Sequence, residues 1–199
     1  MGQRNEEQHA DRMDEIMDAA VKLFAKKGYH ATSISDISEA VGLGRGALYY
    51  YIQSKEDLLW EIHNQHVDPL LEATIQLEHQ PLTPEEKLRE VSRQLIETIT
   101  TYLPYMIVFY REIGALSPER LAKLVEKRRA YEDSIERILR EGVQRGDWEI
   151  ENPRMCVLAF LGMYNWTFQW YNPQGPMKPN EIADTFFQLF LNGIKRRNH

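Results

Sequence analysis

The apolar residues of this chain recur every three or four positions between glycine and proline stops. In residues 12–27 they are Ile16, Ala19, Ala20, Leu23 and Phe24, a spacing that places one apolar stripe on one side of a helix. No segment shows the alternating pattern, bounded by turns, that is typical of a strand. We therefore predict an all-α protein, and its 199 residues suffice for one or two compact domains.

Serine, glycine and proline residues mark the predicted helix ends. Ser33 and Ser54 stand where N-caps are preferred, with Asp57 in the capping-box position after Ser54. Gly42 is expected to end the second helix, and Pro104 is expected to break the fifth. The predicted helices cover residues 12–27, 34–41, 45–51, 55–78, 85–103, 105–114, 118–145, 153–171 and 180–195.

Composition excludes several classes of protein. The chain is 43% hydrophobic, which is too apolar for a disordered protein, and no window reaches the roughly 18 uninterrupted apolar residues of a membrane span. The first residues lack the apolar stretch of a secretory signal, so we expect a cytoplasmic protein without a membrane partner. The single cysteine, Cys156, can form neither an internal disulfide nor a thiolate zinc site.

The charge of the chain is unevenly distributed. The net charge of -6 argues against a protein that coats nucleic acid by bulk electrostatics, since that mode needs a strongly basic surface. Residues 20–55, however, carry an excess of cations: Lys22, Lys26, Lys27, Arg45 and Lys55 against Asp36 and Glu39. Any DNA binding is therefore expected to be local to this segment.

The two short helices of this segment, joined by a glycine-containing turn, form a helix-turn-helix candidate whose second helix would enter the DNA major groove. Gly44, Gly46 and Ala47 would let the helix N-terminus approach the duplex, where backbone N–H groups favour phosphate oxygens. Arg45 can pair with a guanine edge or a phosphate. An alternative is an ordinary helical bundle in which the tyrosines at 49–51 are half-buried packing residues.

Residues 19–59 favour the DNA-binding interpretation. They read AAVKLFAKKGYHATSISDISEAVGLGRGALYYYIQSKEDLL and resemble the DNA-binding domain of the TetR (tetracycline repressor) family, with Ile52 replacing the usual phenylalanine. The resemblance implies a DNA-binding domain over residues 1–54, followed by a helical ligand-binding and dimerisation domain over 55–199. It also implies phosphate contacts at Ser33, Arg45, Tyr49, Tyr51 and Lys55, and base contacts at Gly46, Ala47 and Tyr50.

Aromatic residues cluster in two segments of the second domain, which hold ten of the 21 aromatics. Such side chains mostly serve a bundle core and a dimer interface. Together with methionines and polar amides they also suit a mainly apolar cavity, and in the TetR family the carboxy-terminal helices enclose an inducer pocket. The predicted ligand-binding residues are Tyr102, Met106, Phe109, Tyr110, Met163, Trp166, Gln169 and Trp170.

The segment 166–176, WTFQWYNPQGP, resembles one found in family regulators of fatty-acid and steroid degradation that answer acyl-coenzyme A thioesters. This implies an acyl-coenzyme A inducer. Candidate cations for its phosphates are Arg111, Lys123, Lys127, Arg128, Arg129 and Arg154, although helical spacing with Glu126 and Glu132 also fits a solvated face. A free fatty acid, a steroid or an aromatic drug-like ligand under efflux control stays open.

A single recognition helix makes few contacts, so we expect a homodimer on a palindromic double-stranded DNA operator. Its surface is predicted on the helix from Pro153 and on the last helix, with Phe186, Phe187, Phe190 and Leu191. By linkage, a hydrophobic inducer would release DNA by binding the DNA-incompetent state better. Repression is the default of the family, but a few relatives activate transcription.

Two rival interpretations are an enzyme and a ligand-binding protein without operator binding. An enzyme needs a nucleophile and base or a metal, and no histidine lies within the aromatic segments, so we expect no enzymatic activity. His63, His66 and Asp68 could share a metal, but a third ligand at helical spacing is missing. We therefore expect no metal and no cofactor other than the inducer.

Overall fold

The computed structural model describes residues 2–194, with side chains from residue 8 onward, and these residues contain no strand. The all-α prediction is confirmed. No helix within this part is long and apolar enough to cross a bilayer. The helices are α1 (Gly2–Lys27), α2 (Ile34–Ala40), α3 (Arg45–Tyr51), α4 (Lys55–Glu78), α5 (Pro84–Thr101), α6 (Leu103–Glu112), a 3₁₀ turn (Ile113–Ala115), α7 (Pro118–Arg145), α8 (Pro153–Asn165), α9 (Thr167–Trp170) and α10 (Pro179–Ile194).

Most predicted helix ends agree with these bounds because their signals are local. Gly28, Gly42 and Gly146 adopt positive φ angles of 86°, 64° and 79°, a backbone region that glycine enters without steric cost. Thr83 forms a complete capping box with Glu86. The Ser54 hydroxyl accepts the amide of Asp57 at 3.1 Å, but the Asp57 carboxylate accepts the amide of Gln53, at 3.0 Å, where a capping box would have that of Ser54.

Three predicted bounds are wrong, and one lies outside the described residues. Helix α1 begins ten residues before Arg12, because its polar first turns form helix without showing an apolar stripe. Pro104 lies in the first turn of α6, where its missing N–H costs nothing, so it opens a helix. The helix expected over 153–171 is interrupted at Trp166 (φ −71°, ψ −10°). The predicted end of the last helix at Lys195 lies beyond residue 194.

The chain forms two compact units. The first comprises the chain up to Gln65 together with Pro104–Arg120, and the second comprises His66–Leu103 and the chain from Leu121 onward. The predicted domain division at residues 54 and 55 stays a prediction; α4 begins at Lys55 and runs unbroken past the end of the first unit at Gln65. The fully buried residues of the first unit include Ile16, Ala20, Ile37, Leu48, Leu58, Leu59 and Ile62. Ile52, which replaces the phenylalanine usual in the TetR family, is also buried.

The core of the second unit is formed by α5, α7, α8 and α10. A buried polar contact lies inside it: the hydroxyls of Ser92 and Tyr164 are 2.6 Å apart, and Ser92 also donates to the carbonyl of Ala183 at 3.1 Å. Buried Lys87 donates to the Glu141 carboxylate at 2.8 Å and to the Glu78 carbonyl at 3.0 Å. These bonds satisfy groups that would otherwise be costly to bury.

The turn after α7 packs a tryptophan against a glycine. A Cβ added at Gly142 would lie 2.3 Å from the Cε3 atom of buried Trp148, a distance that no real Cβ tolerates. The next residue, Glu149, donates its amide to the carbonyl of Ile194 at 3.0 Å and so joins this turn to the end of α10. The absence of a side chain at Gly142 therefore allows the turn to close.

We predict that Gly142→Ala lowers the free energy of unfolding by about 1–3 kcal/mol, because the added methyl group displaces the Trp148 ring. Denaturant titration at fixed protein concentration measures this change. Gly114→Ala is the matched control, since a Cβ there meets nothing within 4 Å. Equal stabilities for the two variants would contradict the packing role of Gly142.

Candidate nucleic-acid interface

A complete capping box fixes the start of α2. The Ser33 hydroxyl oxygen accepts the Asp36 amide at 3.1 Å, and the Asp36 carboxylate accepts the Ser33 amide at 2.7 Å and its hydroxyl at 2.6 Å. Lys27, at the end of α1, donates to the same carboxylate at 2.8 Å. Hydrogen bonds from Lys27 and Ser33 hold the pKa of Asp36 well below its ordinary value, so the box stays charged at neutral pH.

The corner between α2 and α3 is held by backbone carbonyls. Arg12 donates from Nη2 to the Val41 carbonyl at 2.8 Å, which ties α1 to the end of α2. The Leu43 amide donates to the Ser38 carbonyl at 2.9 Å, and the Ser38 hydroxyl donates back to the Leu43 carbonyl. Because these bonds occupy the carbonyls at the end of α2, the turn that aims α3 is fixed.

The N-terminus of α3 is bare. Gly44 is its N-cap, and Gly44, Arg45, Gly46 and Ala47 are all exposed. A Cβ added at Gly44 or Gly46 would meet nothing within 4 Å, so none of the described residues covers this end. Exposed N–H groups at a helix N-terminus attract anionic oxygens. The geometry leaves room for a DNA backbone or a base edge here.

The two predicted DNA-contacting cations have partners within the protein. Arg45 donates to the Ser35 hydroxyl, across the corner from α3 to α2. Lys55 donates from Nζ to the Tyr29 carbonyl at 2.8 Å and to the His30 carbonyl at 3.5 Å, and lies 4.6 Å from the centre of the Tyr29 ring. Each cation is thus positioned by a neighbouring segment before any DNA is bound.

The three tyrosines of α3 differ in exposure. Tyr49 is 52% exposed and Tyr50 is 75% exposed, whereas Tyr51 is half-buried. The rings of Tyr50 and Tyr51 meet edge to face with centroids 5.2 Å apart. His9 of α1 lies 5.7 Å from Tyr50 and 4.8 Å from Tyr51, measured between ring centroids. His9 is not among the predicted site residues, because the residues before Arg12 carry no apolar stripe and were not predicted to be helical. The helix-forming composition of these residues is the signal that could have predicted this part of α1.

The first turn of α4 is bound by a segment from later in the chain. Arg120 donates to the Asp57 carboxylate, and the Ser117 amide donates to Glu56 at 2.9 Å. Hydrogen bonds from Ser117 lower the pKa of Glu56. Burial alone would raise the pKa of Asp57, but its bonds to Arg120 and Ser54 outweigh that and lower it. Both carboxylates are therefore held in the charged form that binds these donors.

The predicted ligand-binding residues fall in both compact units. In the first unit, Met106 and Phe109 are buried, Tyr110 is exposed, and the Phe109 ring lies 4.1 Å from that of His63. In the second unit, the Tyr102 ring stacks on that of His66 at 3.6 Å. Met163 packs partly buried against the core of that unit, while Trp166, Gln169 and Trp170 are exposed on its surface.

The candidate phosphate-binding cations differ in their surroundings. Arg154 pairs with Glu132, with Asp133 at 2.9 Å and with Glu136 at 3.7 Å. Lys127 pairs with Asp68 at 2.7 Å. Arg111, Lys123, Arg128 and Arg129 have exposed side chains. The Arg154 guanidinium is therefore surrounded by three carboxylates.

His63 and His66 are buried among aromatic rings. The carboxylate of Asp68 is occupied by Lys127. Among the side chains of residues 8–194, no group of three histidine, cysteine, aspartate or glutamate residues is placed to hold a metal ion.

The second unit exposes an apolar face along α8 and α10, which we call the α8/α10 face. It comprises Met155, Leu158, Ala159 and Gly162 on α8, with Trp166 just after that helix, and exposed Leu189 and Gly193 with half-buried Phe186 and Phe190 on α10. The prediction was wrong for two residues of this surface. Phe187 and Leu191 are buried in the unit's own core, because α10 is apolar around most of its circumference.

Comparison with known proteins agrees with this arrangement. Residues 16–62 match the family described as "Bacterial regulatory proteins, tetR family", and residues 81–194 match "Tetracyclin repressor-like, C-terminal domain". The chain is 28% identical to the HTH-type transcriptional repressor KstR2 of Mycolicibacterium smegmatis over 94% of this chain and 92% of that protein.

Solved structures show the same fold. The TetR family transcriptional regulator PfmR from Thermus thermophilus is 34% identical with a TM-score of 0.82, over 91% of this chain and 99% of that chain. AibR in complex with isovaleryl coenzyme A and operator DNA is 28% identical with a TM-score of 0.76, over 89% of this chain and 97% of that chain. The chain therefore belongs to the tetR family of bacterial regulatory proteins and is a DNA-binding transcriptional regulator.

Proposed function

We propose that this regulator represses transcription by binding a palindromic operator through α3 as a homodimer, and that a hydrophobic small molecule releases it. The observation that carries the proposal is the uncovered N-terminus of α3, exposed from Gly44 to Ala47 on a corner fixed by internal hydrogen bonds. The similarity to KstR2, which is named a transcriptional repressor, supports repression as the proposed activity. The proposed site of action is the cytoplasm, where bacterial DNA is found.

The proposed division of labour follows the geometry of α3. The proposed base-reading positions are Gly46, Ala47 and Tyr50. All three are exposed, Gly46 and Ala47 in the first turn of α3 and Tyr50 in its last turn. Ser33, Arg45, Tyr49, Tyr51 and Lys55 are the proposed phosphate contacts. Phosphate contacts fix register and give salt-dependent affinity, whereas base contacts give sequence preference.

The α8/α10 face is the proposed dimer surface. Exposed apolar patches of this kind mark protein interaction sites, and Ala159, Gly162 and Gly193 would let the helices of two copies approach closely. Two-fold symmetry then presents two copies of α3 to half-sites about 34–36 Å apart, or a multiple of that distance. This repetition supplies the affinity that one seven-residue helix lacks.

The proposed inducer is an acyl-coenzyme A thioester. Its support is the 166–176 segment, the similarity to AibR, whose structure contains isovaleryl coenzyme A, and the exposed cations Arg128 and Arg129. The proposed contacts are the eight residues predicted from the sequence. A free fatty acid, a steroid or an aromatic drug would need the same apolar side chains without the cations.

The relatives are regulators rather than enzymes, and we propose that this chain likewise has no enzymatic activity.

The alternative to the proposed repressor is a ligand-binding protein that does not bind an operator. A gel-shift assay on the DNA upstream of the chain's own gene separates the two: sequence-specific retention supports the regulator, and no retention at low salt supports the ligand-binding protein.

We predict that Lys55→Ala weakens binding to every DNA sequence and lowers the slope of log affinity against log salt by roughly one, because one phosphate contact is lost. Fluorescence anisotropy across a salt series measures the slope. The variant also frees the Tyr29 carbonyl, so its unfolding is measured in parallel. A weaker affinity with an unchanged slope would show that Lys55 acts only within the protein.

Tyr50→Ala is predicted to change site preference instead. Its effect should differ by about 1–3 kcal/mol between operator variants, with the salt slope of wild type, since Tyr50 is a proposed base-reading residue. Competition among operators with single base changes measures this. A uniform loss across those operators would move Tyr50 to the phosphate contacts.

We predict that Leu189→Asp shifts the protein from dimer to monomer, because two carboxylates would be buried at the α8/α10 face, each at a cost of several kcal/mol. Light scattering coupled to size exclusion measures the mass, and operator affinity should fall by at least about 100-fold. Val125→Asp is the control: Val125 is 44% exposed but lies on α7, outside this face, against 63% for Leu189. Dimerisation of both variants would refute the assignment.

For the inducer, we predict that acyl-coenzyme A raises the melting temperature of the protein, because a ligand that binds only the native state stabilises it by mass action. A screen across acyl chain lengths, with matched free fatty acids and coenzyme A alone, measures the shift. The double variant Arg128→Ala, Arg129→Ala should lose stabilisation by the thioester only. Stabilisation by free acids alone would reject the thioester.

A further inference from the structure

His9 of α1 contacts the recognition helix. From residue 8 onward, the first fully buried residue of α1 is Ile16. Residues 8–11 are exposed, so these four residues contribute nothing to the core. In this part of α1, His9 makes ring contacts with Tyr50 and Tyr51.

The three rings form a small aromatic cluster on the surface. His9 and Tyr51 lie with ring planes 32° apart, while His9 meets Tyr50 nearly edge to face at 71°, and the two tyrosines meet at 88°. Edge-to-face and offset arrangements are the favourable geometries for aromatic pairs. The two contacts that involve Tyr50, with His9 and with Tyr51, therefore restrict the rotation of its ring about the side-chain bonds.

Tyr50 needs such a restriction. It lies in the last turn of a seven-residue helix and is 75% exposed, so within α3 no core packing fixes its side chain. A side chain held in its binding rotamer loses less conformational entropy when it meets a base edge. Tyr51 is half-buried, lies 4.8 Å from His9 between ring centroids, and meets Tyr50 edge to face, so Tyr50 packs against a less exposed ring.

We propose that His9 is a positioning residue for operator recognition: it holds Tyr50 and Tyr51 of α3 in their DNA-binding arrangement without itself contacting DNA. This inference rests on the proposed function of α3. The inference assigns His9 a role in operator recognition, although His9 lies outside the core and outside the predicted set of DNA contacts. The part of His9 that matters is its flat ring, and its charge is dispensable.

The test compares His9→Ala with His9→Phe by fluorescence anisotropy on the operator. His9→Ala should weaken binding about three- to tenfold, the range expected for losing one or two aromatic contacts. His9→Phe should restore affinity to within about twofold, because it keeps a flat ring. Gln8→Ala is the matched control, since Gln8 is the exposed neighbour of His9 on the same helix, and it should bind like wild type.

Two readouts separate positioning from a direct phosphate contact or a fold defect. The salt slope of His9→Ala should equal that of wild type, because no phosphate contact is lost. In a double-mutant cycle, His9→Ala should have little further effect once Tyr50 is alanine. An unaltered affinity for His9→Ala, a failure of His9→Phe to restore it, or additive effects in the cycle would each overturn the inference.

The same experiment distinguishes failure of the inference from failure of the proposed function. If Arg45→Ala and Tyr50→Ala weaken operator binding but His9→Ala does not, only the role of His9 falls. If no variant in α3 changes retention of the operator, the proposed interface itself is wrong.

Discussion

The direction of α3 depends on the hydrogen bonds at the corner between α2 and α3. Arg12 binds the carbonyl at the end of α2, Gly42 supplies the positive φ angle of the turn, and Ser38 bonds to Leu43. A helix of seven residues is too short to be stable alone in water, so its orientation must come from its neighbours. Burial of Leu48 in the first unit and these corner bonds provide it.

The first compact unit includes residues well outside the predicted DNA-binding domain. Glu56 and Asp57, which follow α3 closely, are bound by Ser117, just before α7, and by Arg120 in the first turn of α7. Lys55 in turn joins this turn of α4 to the segment after α1. The segment that follows α3 is therefore held by ion pairs and by hydrogen bonds to carbonyls, while the N-terminus of α3 is open.

The fold could be predicted from the sequence wherever a local signal exists. Ser33 and the glycines at 28, 42 and 146 fix helix ends through caps and positive φ angles, which depend on a few adjacent residues. The break at Trp166 carries no glycine or proline and left no signal. The contact of His9 with α3 joins residues more than 40 positions apart, and the inward direction of Phe187 depends on neighbouring helices. Contacts of this kind depend on tertiary structure, so no pattern of adjacent residues in the sequence predicts them.

A hydroxyl group has one proton to donate, and Ser33 already donates it to Asp36. A phosphate oxygen arriving at this helix could take that proton only by displacing an anionic acceptor of similar strength, so the exchange would be nearly neutral in free energy. The Ser33 hydroxyl therefore matters more for the structure of α2 than for a direct contact with DNA. Its loss would first destabilise the first turn of α2, and any weaker binding to a duplex would follow indirectly from that change.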